Sequence, residues 1–402
     1  MNAIGASAAN VQTLIDTVAT TSDRTRLNSA AAHLSRNQLP SGLFPYDYDF
    51  SSGESTPMEG ISGVNLVRQS GAVFSLSKYF EISKDSTAGE TIRLFLEAAS
   101  NQSIPIAKGR RQQSWEKKGY YNHRYLWGFM RLPLYWSGML FQETGEARLV
   151  SVDEDYKRAF PGATALSLVS ALTYREVTGN QQFDSMLAQW IAGLSTLLVD
   201  DRGSRQAPHY LSESDYVNAQ TWLALADYHR SFPENTAVLA TMLRLEKYLF
   251  ARYSESPSIK FYSWGLMATS VRQQTTGDTR YVEFARTLTD WLLSQPREQT
   301  IPDTTQCARI EGLATFVNMM APLDGESNQL VKSAGEVIAK DLAQIRPLQI
   351  TASLARLPNV HKNADKVLDK FRGGFIYSAE EPLMIVDLTG HCLHALLLTL
   401  PE

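Results

Sequence analysis

Glu143-Thr144-Gly145-Glu146, Val177-Thr178-Gly179-Asn180 and Thr276-Gly277-Asp278-Thr279 are three copies of one short joint, each following an apolar run. Glycine takes the left-handed backbone conformation at low cost, so a Thr-Gly-polar step reads as the C-cap of one helix and the N-cap of the next. Helices joined this tightly fold back as antiparallel hairpins. The repeating unit is roughly 40 to 60 residues, a period that belongs to an array or ring of helix pairs.

Around these joints the apolar spacing is helical for most of the chain. Residues 8 to 37 carry Val11, Leu14, Ile15 and Val18 on one stripe and Leu27, Ala31 and Leu34 on another. Further helices are expected at 63–80, 88–99, 122–143, 161–176, 183–199, 215–230, 236–253, 261–275, 280–294, 305–321, 326–344 and 387–399. Pro161 suits the first turn of its helix, whereas Pro133 should kink the helix that holds it. Residues 39–50 form a proline- and aromatic-rich loop, 100–121 a basic polar insertion, and 147–152 a short strand. The hairpins differ from one another, and the chemically interesting residues cluster at helix starts. Both features favour a closed (α/α) toroid over an open solenoid, because in a toroid those starts converge on one end.

At 402 residues the chain could hold two domains, yet no Pro/Gly/Ser linker divides it, and one domain over 1–402 is expected. A composition of 44% hydrophobic and 20% charged residues can bury a sizeable core, and a net charge of −4 argues against a general nucleic-acid binder. No run approaches the ~18 apolar residues of a membrane span. The start, Met1-Asn2-Ala3-Ile4-Gly5, shows no signal peptide, and the compartment and oligomeric state stay open. The two cysteines, Cys307 and Cys392, sit in no metal or redox spacing and read as buried thiols. G-x-S-x-G, Walker and G-x-G-x-x-G sequences are absent, and neither a metal nor a cofactor is expected.

The loop Gln38-Leu39-Pro40-Ser41-Gly42-Leu43-Phe44, the helix start Phe160-Pro161-Gly162-Ala163, the Thr-Gly joints and Gly373-Gly374-Phe375 together resemble the six-hairpin (α/α)-toroid enzymes of carbohydrate metabolism. That group includes glycoside hydrolases, polysaccharide lyases and sugar epimerases. The resembling pieces span nearly the whole chain, but each largely reflects hairpin geometry, so they bear on architecture more than on reaction. Tyr121-Asn122-His123-Arg124-Tyr125-Leu126-Trp127 is similar to the Asn-His segment of alginate-lyase-like toroids. The resemblance implies that Asn122 and His123 lie beside a uronate. Leu126, between Tyr125 and Trp127, departs from the pattern.

Glycoside hydrolysis needs two carboxylates about 5 to 9.5 Å apart across the scissile bond. Asp155 of the Asp153-Glu154-Asp155 triplet, Asp215 and Glu311 are the candidates, with His209 and His123 as proton carriers. Each also has a structural reading: the triplet as a solvated loop, Asp215 as a helix cap, Glu311 as an outward-facing charge. Arg68 and Arg309 stand on apolar helices and either make salt bridges or reach a sugar. Asp387 is a cap or a residue at the ring mouth, and His391 with His394 share one face of its helix. Tyr46, Tyr48, Trp115, Tyr120 and Tyr121 are placed to stack on pyranose faces, Tyr125 and Tyr210 are further substrate contacts, with Tyr125 also a proton carrier in a lyase, and Trp222 and Trp264 read as core. The expected partner is an oligo- or polysaccharide, cleaved by a hydrolase. The alternatives are a lyase or epimerase acting on a uronic acid and a non-catalytic glycan-binding scaffold.

Overall fold

The computed structural model describes residues 21–57, 65–108, 142–152, 158–199, 202–210, 212–297, 306–324, 328–351, 360–361 and 364–400. Thirteen α-helices are named among them: α1 (Thr21–Asn37), α2 (Leu66–Ser83), α3 (Ser86–Asn101), α4 (Pro161–Thr178), α5 (Asp184–Thr196), α6 (Asp215–Ser231), α7 (Thr236–Glu255), α8 (Ile259–Thr276), α9 (Thr279–Ser294), α10 (Gln306–Asp324), α11 (Gln329–Ile345), α12 (Ala364–Phe371) and α13 (Val386–Leu398). Four short strands accompany them: β1 (Asp47–Asp49), β2 (Ser103–Lys108), β3 (Gln142–Val150) and β4 (Leu383–Ile385).

Six of these helices form a closed inner ring, in the order α2, α4, α6, α8, α10, α13 and back to α2. Each of the first five is followed in sequence by its outer partner, α3, α5, α7, α9 and α11, and α1 packs outside α13 to complete the second layer. The architecture is therefore the expected (α/α) toroid of six hairpins. Burial explains which helix goes where. In α4 every residue from 161 to 174 is buried, as suits a helix walled in on all sides. In α11 only Val331, Ala334, Ile338, Asp341, Leu342 and Ile345 are buried, one stripe against the ring. The inner helices approach closely because small residues sit at their contacts. A Cβ on Gly390 of α13 would lie 2.7 Å from Ala72 Cα of α2, and one on Gly312 of α10 would lie 2.5 Å from the Tyr262 ring of α8.

Two of the three Thr-Gly joints behave as read. Gly179 and Gly277 have φ of 71° and 67° and cap α4 and α8. The third does not: residues 143–146 lie in β3, which pairs antiparallel with β2 across a register shift. Thr-Gly also fits an irregular strand, and pairing with Ser103–Lys108 decides the matter. The residues 142 and 143 assigned to a helical end thus belong to a strand, while the rest of the 122–143 segment lies outside the described residues.

The cysteine reading is also corrected. Cys307 and Cys392 form a disulfide with Cα atoms 4.9 Å apart, joining the start of α10 to the middle of α13 across 85 positions. Neither is a free thiol, so neither is available as a metal ligand.

Candidate active site at the ring mouth

The six inner helices all begin at one end of the ring, and their first turns enclose a cavity of about 380 Å³. Its lining comes from Arg68 on α2, Gly162 on α4, Tyr216 and Gln220 on α6, Lys260 and Trp264 on α8, Ala308 on α10, and Asp387 and His391 on α13, among others.

Local structure delivers each of these residues to the mouth. Asn65 caps α2 by accepting the Arg68 N–H, which sets Arg68 on the first turn. The end of β3 clamps the start of α4, since Val150 N donates to Thr164 Oγ1 at 2.9 Å and Phe160 N donates to Val150 O at 2.9 Å. β1 pairs with β4 immediately before α13, and Val386 N donates to Tyr46 O at 2.9 Å, which brings Asp387 beside Arg68. Their Nη1–Oδ1 distance is 3.5 Å, and the guanidinium sits 5.8 Å from the centroid of the Tyr46 ring.

One turn beyond Asp387, His391 Nδ1 lies 2.6 Å from Glu311 Oε2, and His394 Nδ1 lies 3.0 Å from Glu311 Oε1. Burial by itself would raise the Glu311 pKa, but His391 and His394 outweigh it and hold the carboxyl below its ordinary value. Burial likewise opposes the charge on His391, and Glu311 with Asp387 overcomes it, raising the imidazole above its usual range. An ionised carboxylate only accepts hydrogen bonds, so each imidazole presents Nδ1–H to Glu311. His391 then meets the cavity as an oriented proton carrier backed by a buried carboxylate. Trp264, with its ring centroid 5.9 Å from that of His391, forms the adjoining wall.

Only some of the candidate residues gather here. Arg68 and Asp387 line the cavity. Glu311 does not: it is wholly buried behind His391 and acts on that ring. Asp215 is also absent from the lining, because its oxygens accept from Tyr253 Oη at 2.7 Å and from Ser258 Oγ, tying the start of α6 to α7 and α8. Its neighbours Ser214 and Tyr216 face the cavity instead. Arg309 is 1% exposed and turns outward, with Nε and Nη2 each 2.7 Å from oxygens of Asp341 on α11, so it is a structural ion pair. His209 and Tyr210 pack ring against ring at 4.3 Å on the exposed surface, outside the lining. Tyr46 and Tyr48 border a separate cavity of about 20 Å³, where Tyr48 stacks on Phe371 at 4.3 Å. Asp155, Trp115, Asn122, His123 and Tyr125 lie outside the described residues.

The cavity also holds residues that were not singled out as site residues: Gln220, Lys260, Tyr216 and, as a lining group, His391. Trp222 is core, donating Nε1–H to Glu246 Oε1 at 3.0 Å, but Trp264 combines burial with a place on the cavity wall. The one available signal was position, since each of these residues stands in the first two turns of an inner helix.

No family model matches the chain, and no curated protein matches its sequence. Solved structures do match its fold. A GH76 α-1,6-mannanase from Salegentibacter sp. HEL1_6 superposes with a TM-score of 0.59 at 9% identity, covering 92% of this chain and 98% of that one. A glycoside hydrolase family 76 mannosidase from Bacteroides thetaiotaomicron VPI-5482 gives 0.59 at 10% identity, over 94% and 98%. An unsaturated glucuronyl hydrolase specific for heparin gives 0.55 at 11% identity, over 94% and 97%. An inactive variant of the Salegentibacter mannanase, with two aspartates replaced by alanine, was solved with α-1,6-mannotetrose (TM-score 0.56, 10% identity, 92% and 97% covered). At these identities the likeness is one of fold, and the fold is the (α/α) toroid.

Proposed function

We propose that the protein is a carbohydrate-active enzyme, a glycoside hydrolase that binds an oligo- or polysaccharide at the ring mouth. The observation carrying this reading is the pairing of Asp387 with His391 on one face of α13, inside a sugar-sized cavity walled by Trp264 and Tyr216. The fold neighbours named as glycan hydrolases lend it support. In this reading Asp387, 3.5 Å from Arg68 Nη1, takes the proton of the attacking water while the glycosidic C–O bond breaks and the leaving oxygen gains a proton from a second acid. Asp155 is the sequence candidate for that acid.

A second reading is favoured by one observation, the presence of His391 and Arg68 on the same cavity wall. A lyase or epimerase neutralises a uronate with a cation and removes its α-proton with a base, the roles open to Arg68 and His391. Incubation with neutral and uronate-containing polysaccharides separates the two, since a hydrolase yields reducing ends alone and a lyase also yields ultraviolet-absorbing unsaturated ends. Asp387→Asn is expected to lower hydrolysis by about 10²- to 10⁴-fold, the usual worth of a general base. Full activity in that variant sinks the assignment. The Cys307–Cys392 bond supports maturation in an oxidising compartment. Among the described residues no helix is long and apolar enough to cross a membrane.

A further inference from the structure

The charge inside the cavity is informative about its guest. Among the described lining residues there is one carboxylate, Asp387, and it already faces Arg68. Against it stand Arg68, Lys260 and His391. The guanidinium makes one hydrogen bond among the described residues, Nη1 to Asp387, and no described residue takes Nε or Nη2. Lys260 is exposed on the first turn of α8 and has no ion-pair partner among the described residues. The first turns of α2, α4, α6, α8, α10 and α13 add the positive ends of six helix dipoles around the same space.

A second, independent feature points to hydroxyl groups. Gln220 is 4% exposed, lines the cavity, and its Oε1 has no hydrogen-bond partner. Gly162 makes room for that amide, since a Cβ there would lie 2.4 Å from Oε1. A buried acceptor without a donor is costly unless a ligand or water supplies one. A sugar hydroxyl is such a donor, and neither a simple anion nor an apolar guest would satisfy cations and acceptor together.

We propose that the cavity is built for an acidic sugar, one whose carboxylate or sulfate lies between Arg68 and Lys260 while a ring hydroxyl donates to Gln220 Oε1. This rests on the reading of the mouth as a glycan site and narrows it to anionic glycans. It also separates this chain from the neutral mannotetrose bound by its fold neighbour.

Calorimetry with matched probes tests the idea: tetrasaccharides of polygalacturonate, alginate and heparosan, each beside its carboxyl-reduced form, with heparin and desulfated heparin tetrasaccharides to separate sulfate from carboxylate. The acidic member of at least one pair is expected to bind about five- to tenfold more tightly, the worth of one or two half-exposed charge pairs. That preference should shrink as salt is raised. Lys260→Met should weaken binding of the acidic member more than that of its reduced form, so that most of the preference is lost, and its melting temperature should match the parent's because the side chain is exposed. Equal binding of both members of every pair overturns the acidic-sugar proposal and leaves the glycan site standing. Absence of binding by every tetrasaccharide overturns both.

Discussion

His391 and Glu311 show how a single pair sets a pH window. The folded pKa of His391 is raised, so its contribution to stability is complete below the unfolded imidazole value of about 6.5 and is lost as pH rises through the folded value. That of Glu311 is lowered, so its contribution is present above the unfolded carboxyl value and is lost as pH falls through the folded one. Thermal melts across pH should therefore show a stability shoulder on the weakly acidic side of neutrality that disappears in Glu311→Gln. A pH profile unchanged by that substitution would show that the pair is not ionic. Gly162 offers a second test at this scale. Alanine there gains about 1 kcal/mol of helix propensity against roughly 1–3 kcal/mol of overpacking. The melting temperature of Gly162→Ala should change little, while KM for the cleaved glycan rises several-fold because Gln220 is displaced. An unchanged KM would remove Gln220 from the binding site.

Arg68 and Arg309 look alike in the sequence, each a cation on an apolar helix, yet the elements around them assign opposite roles. A shift of one residue turns a side chain by 100° on a helix, and hydrophobic pattern does not distinguish the cavity side of a helix buried on all sides from the side facing its outer partner. Arg309 meets Asp341 at the α10–α11 contact. Arg309→Met should cost about 1.5–3 kcal/mol, because it removes two charged hydrogen bonds and leaves Asp341 to Arg297 alone, and should leave KM unchanged. A raised KM with an unchanged melting temperature would return Arg309 to the list of ligand contacts. The same reasoning explains what was legible. Val177-Thr178-Gly179-Asn180 and Thr276-Gly277-Asp278-Thr279 declare their hairpins because a positive φ is a local demand on glycine. The ring could be inferred from such joints together with helix length. The Glu311–His391 bond spans 80 positions and the Cys307–Cys392 bond spans 85, and no local spacing announces contacts made only when the ring closes. Lys260 was silent for the same reason: its significance comes from five other helices.

For the molecule as a whole, the disulfide closes a loop of 85 positions and bolts α10 to α13 on either side of the site, since Ala308 and His391, each adjacent to one of the cysteines, both line the cavity. Loop closure of that length is worth about 4.5 kcal/mol in the chain-entropy model. Cys307→Ser with Cys392→Ser should lower the melting temperature by several degrees, and reducing agent should do the same to the parent but not to the double variant. A parent that is insensitive to complete reduction would deny the bond any role in stability. The ring is sealed by partners from opposite ends of the described chain. α1 packs on α13, Arg346 donates from Nε to Asp23 Oδ1 at 2.9 Å, and Arg68 meets Asp387 from 319 positions away. Such distant pairings are slow to form and leave apolar faces open while they wait. A ribosome that has delivered five of the six sectors has made Arg68, Gln220 and Lys260 but neither Asp387 nor His391, and the cavity still lacks one wall. Termination before α13 therefore leaves the ring open between α10 and α2, and ties possession of the complete site to the making of that helix.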